Sequence, residues 1–226
     1  MLESKRYLLL SIFFMGFLGI MCGQNKPAST SKNIDNEANT ILKNVQAKVS
    51  SYTTIFIDFT VHTIQKEKVV EEFSGKIRVK GKKYILETED QIIYCNAVNV
   101  WNYLPQQEEV TLSMYDSTEQ SQFVNPALLI KDFQKQFSAK FIREETQKGT
   151  LVQIIDLTPL QSAAYYKIRL FINKSKQQIT QTTIYQRDGV SYTYFVDKFV
   201  VNQAIDDKQF MFDKSKYPSI ELIDLR

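Results

Sequence analysis

One histidine, two cysteines and one tryptophan are spread over 226 residues, with only seven glycines and five prolines. Each scarcity removes a class of function. A lone imidazole, His62, falls on the polar side of its segment, and no Ser or Cys motif near it supplies a nucleophile for a triad. Metal sites built from His and Cys fail on the same count, so neither a metal nor a cofactor is expected. None of the glycines stands in a phosphate-cradling pattern, which leaves nucleotide chemistry unsupported. The chain is expected not to be an enzyme. The formal charge of +3 gives no basis for strong nucleic-acid binding. From Gln24 onward no run approaches the roughly 18 apolar residues of a spanning helix.

What is present begins with an export signal over residues 1–23. Lys5 and Arg6 precede the apolar run YLLLSIFFMGFLGIM, and small residues follow near Gly23. Cleavage there predicts an exported protein and takes away Lys5 and Arg6 against Glu3, lowering the net charge by one. Cys22 stands where a bacterial lipoprotein would be acylated, but Met21 occupies a place that such signals give to a small residue, so ordinary cleavage is expected. Cys95 is then the only cysteine, no internal disulfide can form, and stability must come from packing.

Residues 24–35 contain QNKPASTSKN and read as a flexible lead; residues 36–226 read as one domain. Ala38, Ile41, Leu42, Val45 and Val49 recur at helical spacing. From Ile55 the period switches to two. Alternating segments run around Ile55–Val61, 69–79, 84–88, 92–94, 98–103 and 110–114, then around 140–143, 151–157, 166–172, 179–186 and 192–200. Asn125-Pro126 opens a second amphipathic helix, ALLIKDFQKQF, whose stripe is Leu129, Ile130, Phe133 and Phe137. Arg187-Asp188-Gly189 marks a hairpin, and residues 210–212 are expected to add a short edge strand. About ten strands without βαβ alternation predict a mostly β fold, one large antiparallel sheet that curls. The acidic pairs Glu71-Glu72, Glu108-Glu109, Glu144-Glu145 and Asp206-Asp207 are expected in or beside turns. The basic cluster KIRVKGKK, residues 76–83, suits a solvated or partner-facing edge.

The ordered series FSGKIRVKGKKYILET, IIYCNAVNVWNYLP, EEVTLS, NPALLIKDFQKQF, YYKIRLFINKSKQQITQTTIYQRDGVSYTYFV and FMFDKSKYPSIELIDLR resembles the outer-membrane lipoprotein carrier family (LolA), particularly its Bacteroidetes-type members. The resemblance implies a half-open antiparallel β-barrel with helices covering an apolar cavity. It implies a monomeric, non-enzymatic periplasmic chaperone that takes acylated lipoproteins from an inner-membrane lipoprotein-releasing ABC transporter to an outer-membrane acceptor or membrane surface. Tyr84 and Leu86 match the large apolar pair at the family's cavity mouth, and Trp101 and Tyr103 its next aromatic strand. Ile57 and Phe59 join them as expected acyl contacts. Ile41, Leu42, Val45, Leu129, Ile130 and Phe133 are the expected lid. The family's Arg-Pro pair, which aids release, is missing near Gly81-Lys82, leaving Arg78, Lys80 and Lys83 as the donors that could replace it. A lipoprotein-anchored acceptor or lipid sensor of the same fold is the alternative.

Overall fold

Helix α1 spans Asn36–Ser50 in the computed structural model, which describes residues 36–115 and 133–226. Ala38, Leu42 and Val45 are fully buried along one stripe, Glu37 lies in the first turn and Lys48 in the last, so charges complement the helix dipole at both ends. The expected export signal and lead, and Leu129 and Ile130 of the expected second helix, lie outside the described residues. What is described of that helix is α2, Phe133–Gln136, with Phe133 buried.

Among the described residues twelve strands follow, where alternation predicts about ten. They are β1 (Ile55–Gln65), β2 (Lys68–Lys80), β3 (Lys83–Thr88), β4 (Ile92–Cys95), β5 (Asn99–Leu104), β6 (Glu109–Met114), β7 (Phe137–Gln147), β8 (Thr150–Pro159), β9 (Tyr165–Asn173), β10 (Gln178–Gln186), β11 (Val190–Val201) and β12 (Glu221–Asp224). One sheet holds them in the order β12-β6-β5-β4-β3-β2-β1-β11-β10-β9-β8-β7. The end strands are not paired to each other, so the barrel is incomplete.

Cross-strand partners in an antiparallel sheet share a face, and the register therefore sorts every side chain. The row Leu86, Ile77, Ile57, Phe199 lies on one face, as does the row Val100, Cys95, Tyr84, Val79, Ile55. Further along the sheet the same face carries Val61, Tyr194, Leu170 and Ile155. α1 lies on this face: Ala38, Leu42 and Val45 join Phe133, Ile155, Leu157, Ile168 and Leu170 in one cluster. A second cluster gathers Ile55, Ile57, Ile77, Val79, Tyr84, Ile93, Cys95 and Val100, and Val49 packs against both. Twelve flat strands would measure about 50 Å across at about 4.8 Å each, whereas a 15-residue helix is about 22 Å long. One helix reaches both clusters because the sheet curls around it.

The C-terminal segment departs from expectation. Residues 210–212 are no edge strand. Asp207–Phe210 forms a 3-10 turn, capped by the Asp206 side chain accepting from the Lys208 N–H, and Phe210 and Phe212 are buried. The chain crosses the outer face of the sheet before pairing, so its last strand, β12, runs parallel to β6 rather than returning as a hairpin. Two acidic pairs also depart: Glu71-Glu72 lie within β2 and Glu144-Glu145 within β7. Partners in β1, along β7 and in the turn after β9 stabilise them there, since Glu72 meets His62 Nε2 at 2.9 Å, Glu144 meets Lys174 at 2.8 Å and Glu145 meets Arg143 at 2.6 Å.

Candidate functional site

The inner face between β5 and β11 is a continuous apolar strip. Strand alternation in IFIDF turns Ile57 and Phe59 inward, and in KYILET it turns Tyr84 and Leu86 inward; all four meet in one cluster. Phe59 lies across Gly75, its partner in β2, where a Cβ would stand 2.5 Å from the ring's Cζ. Glycine at this position leaves room for the ring to lie on the sheet rather than stand off it.

Of the strip's ionisable groups, Tyr84 and Cys95 are held neutral by burial. The Tyr84 phenol is pushed above its ordinary range chiefly by desolvation, with the nearby Cys95 and Tyr115 adding to the shift. Burial likewise pushes the Cys95 thiol up. Asn102 faces inward beside Ile93, and its Oδ1 is a buried acceptor without a hydrogen-bond partner. A neutral, apolar surface of this kind suits a hydrocarbon guest better than a charged one.

The expected site residues divide between the two faces. Ile57, Phe59, Tyr84 and Leu86 come together on the inner face. Ile41, Leu42, Val45 and Phe133 lie over its β7–β10 side. Trp101 and Tyr103 are not brought to that strip. They face outward from β5 and form a third cluster with Val110, Leu112, Phe212 and Ile220, in which Phe212 stacks on Tyr217 at 5.4 Å. The aromatic content of β5 was legible, but its face depended on the pairing of Val100 with Cys95. Val79, Ile93, Cys95 and Val100 are inner-face residues that aromatic spacing passed over and simple alternation could have found.

Arg78, Lys80 and Lys83 also face outward, and each is engaged within the chain. Arg78 pairs with Glu87 at 3.3 Å. Asp207 bridges the two lysines, with Lys80 Nζ at 2.8 Å from one carboxylate oxygen and Lys83 Nζ at 2.7 Å from the other. Among the described residues no group of His, Cys, Asp and Glu is placed to hold a metal ion, and no helix is long and apolar enough to cross a membrane.

A family model described as an uncharacterized protein matches residues 65–211, well over half of the chain. The chain belongs to this family. The matched segment of the uncharacterized family runs from the end of β1 through β11 to the start of the outer-face crossing, so it includes most of the inner strip but not α1. No curated protein matches the chain. Among solved structures, an uncharacterized conserved protein from Thermus thermophilus is 12% identical, with 83% of this chain and 99% of that one covered at a TM-score of 0.58. That likeness shows a shared fold. Similar structures also include a LolA superfamily protein from Nitrosomonas europaea, 13% identical over 77% of this chain and 97% of that one at a TM-score of 0.42. The lipoprotein LppX from Mycobacterium tuberculosis is 13% identical over 76% and 98% at a TM-score of 0.47.

Proposed function

We propose that this chain is an exported, non-enzymatic carrier that shelters the acyl chains of lipoproteins between α1 and the inner face of the sheet. The observation that carries the reading is the apolar strip itself, continuous over six strands and reached by a single amphipathic helix. The ordered sequence resemblance to Bacteroidetes-type lipoprotein carriers supports it, as does the export signal.

Energetics shape the proposal. Each buried methylene contributes about 0.8 kcal/mol, so a long acyl chain would be held almost irreversibly if nothing competed with it. α1 is the competitor. Leu42, Val45 and Ile41 bury their own apolar surface on the strip's flank, and a guest must displace part of that docking. Ile57, Phe59, Tyr84 and Leu86 are the proposed acyl contacts, and α1 with the segment around Leu129, Ile130 and Phe133 is the proposed lid. An inner-membrane lipoprotein-releasing transporter is the proposed donor, and an outer-membrane acceptor or the membrane surface the recipient. Lys80 and Lys83 would serve a partner by exchanging Asp207 for a carboxylate of that partner.

The test is release from spheroplasts. The chain from Gln24 onward, incubated with spheroplasts of the native host, is expected to bring acylated lipoprotein into the supernatant in complex with itself, while a non-acylated variant stays unbound. Release without dependence on acylation overturns the carrier reading. Uptake of free fatty acid with no lipoprotein release moves the chain to the lipid-sensor alternative.

A further inference from the structure

On the outer face a groove of about 450 Å³ runs between the β1–β2 turn and the β10–β11 turn, separate from the acyl strip. Its floor is polar. Thr183 and Thr193, opposite each other in β10 and β11, share a hydrogen bond of 3.0 Å, with Gln181 and Ser191 beside them. Its wall is aromatic. The rings of Tyr166 and Tyr185 stand 6.1 Å apart at 46°, and Lys167 Nζ sits 4.1 Å from the Tyr185 centroid.

Its rim is the two-residue β1–β2 turn, in which Lys66 and Glu67 take the left-handed backbone, φ 50° and 63°, that such a hairpin requires. One observation sets this groove apart from an ordinary surface crease. Tyr166 keeps 45% of its surface exposed, so an aromatic face is offered to solvent rather than used in the core.

The lining selects a chemical class. Lys66 and Glu67 place opposite charges side by side, which favours neither a phosphate nor a bare cation. Lys167 already occupies the Tyr185 ring, so no aromatic cage is left for a quaternary ammonium. A hydrocarbon chain would cover Ile64, Phe171 and Val190 but strip water from Gln181 and Ser191 without replacing its hydrogen bonds. A sugar ring answers both halves of the groove. Its C–H faces lie on tyrosine rings, and its hydroxyls pair with amides and hydroxyls that both donate and accept. The volume falls within the range of about 300–1,000 Å³ typical of small-ligand sites.

We infer that this groove is a binding site for a neutral oligosaccharide, on the face opposite the acyl strip and independent of the carrier function. The experiment is saturation-transfer NMR on the full chain with maltotriose and chitotriose as probes. At least one trisaccharide is expected to receive saturation on its ring C–H protons, with a dissociation constant near 1 mM, about 4 kcal/mol of binding. Tyr166→Ala, at an exposed position, is expected to leave the circular dichroism spectrum unchanged and to weaken that binding about tenfold, and Gln181→Ala to weaken it as well. No transfer from either trisaccharide at about 10 mM, a concentration well above such a constant, overturns the inference. Binding that is unchanged in Tyr166→Ala overturns it equally.

Discussion

Phe59 and Gly75 face each other across β1 and β2, and the aromatic ring occupies the space that a Cβ on residue 75 would need. The ring's Cζ would lie at 2.5 Å and the Glu87 carbonyl oxygen at 2.7 Å. The second contact is backbone and cannot swing away. Gly75→Ala is therefore expected to destabilise the protein by about 1–3 kcal/mol, the usual range for overpacking, measured as a lowered urea midpoint with unchanged slope. Adding Phe59→Ala frees only the ring contact, so the double variant should not recover the stability of Phe59→Ala alone.

α1 has a different vulnerability, because its contacts are few and central. Leu42 is fully buried among β7–β10 side chains. Leu42→Ala is expected to cost about 2–5 kcal/mol at this interface, by lost transfer energy and the cavity left behind. Since the strands are tied by ladder hydrogen bonds and the helix is not, the loss should fall on α1 first. Hydrogen exchange would then quicken over residues 36–50 with less change in β1 and β11. If α1 competes with acyl chains, the same variant should take up a fluorescent fatty acid more tightly; uniform acceleration across the sheet with no gain in uptake would refute the lid role.

Asn102 offers a prediction of opposite sign. Its Oδ1 is buried on the inner face without a partner, and a desolvated amide left unpaired costs about 1–3 kcal/mol. Asn102→Leu, similar in volume and better suited to a strand, should raise the melting temperature. A fall instead would show that the amide is engaged in the folded protein.

How much of this was legible in the sequence follows from periodicity. Alternation in IFIDFTVH and KYILET specified both strands and their faces, since one row is apolar and the other mostly polar, with Phe56 and Ile85 its exceptions. In NVWNYL it could not, because each row of β5 mixes one asparagine with apolar or aromatic residues, and two covers exist: the curled interior for Val100 and the C-terminal crossing for Trp101 and Tyr103. The crossing itself was hidden for the same reason. Phe210 and Phe212 look like a strand by spacing, yet the cluster that Phe212 joins lies about a hundred residues back in β5 and β6, and no local pattern encodes so distant a contact. The basic cluster at residues 76–83 was visible, but the carboxylate that engages its lysines was not, since Asp207 is adjacent to them only in space.

That carboxylate sets a pH limit on the C-terminal crossing. Hydrogen bonds from Lys80 and Lys83 hold the Asp207 carboxyl at about 2, below its ordinary 3.8. A depressed value in the folded state means that the ionised form is the stabilising one. Its contribution is complete above the ordinary value and is lost as pH falls from there through about 2. The carboxylate is solvent-exposed, so added salt should weaken the bridge. Asp207→Asn keeps shape and removes charge. It is expected to loosen the turn at Asp207–Phe210 at neutral pH, quickening amide exchange from residues 205 to 212, and to abolish the acid-dependent part of that loosening. NMR titration of the Asp207 carboxyl carbon checks the cause directly. A midpoint near 3.8 would mean that Lys80 and Lys83 are free of Asp207 in solution and open to a partner; a midpoint near 2 would mean that any partner must first displace it.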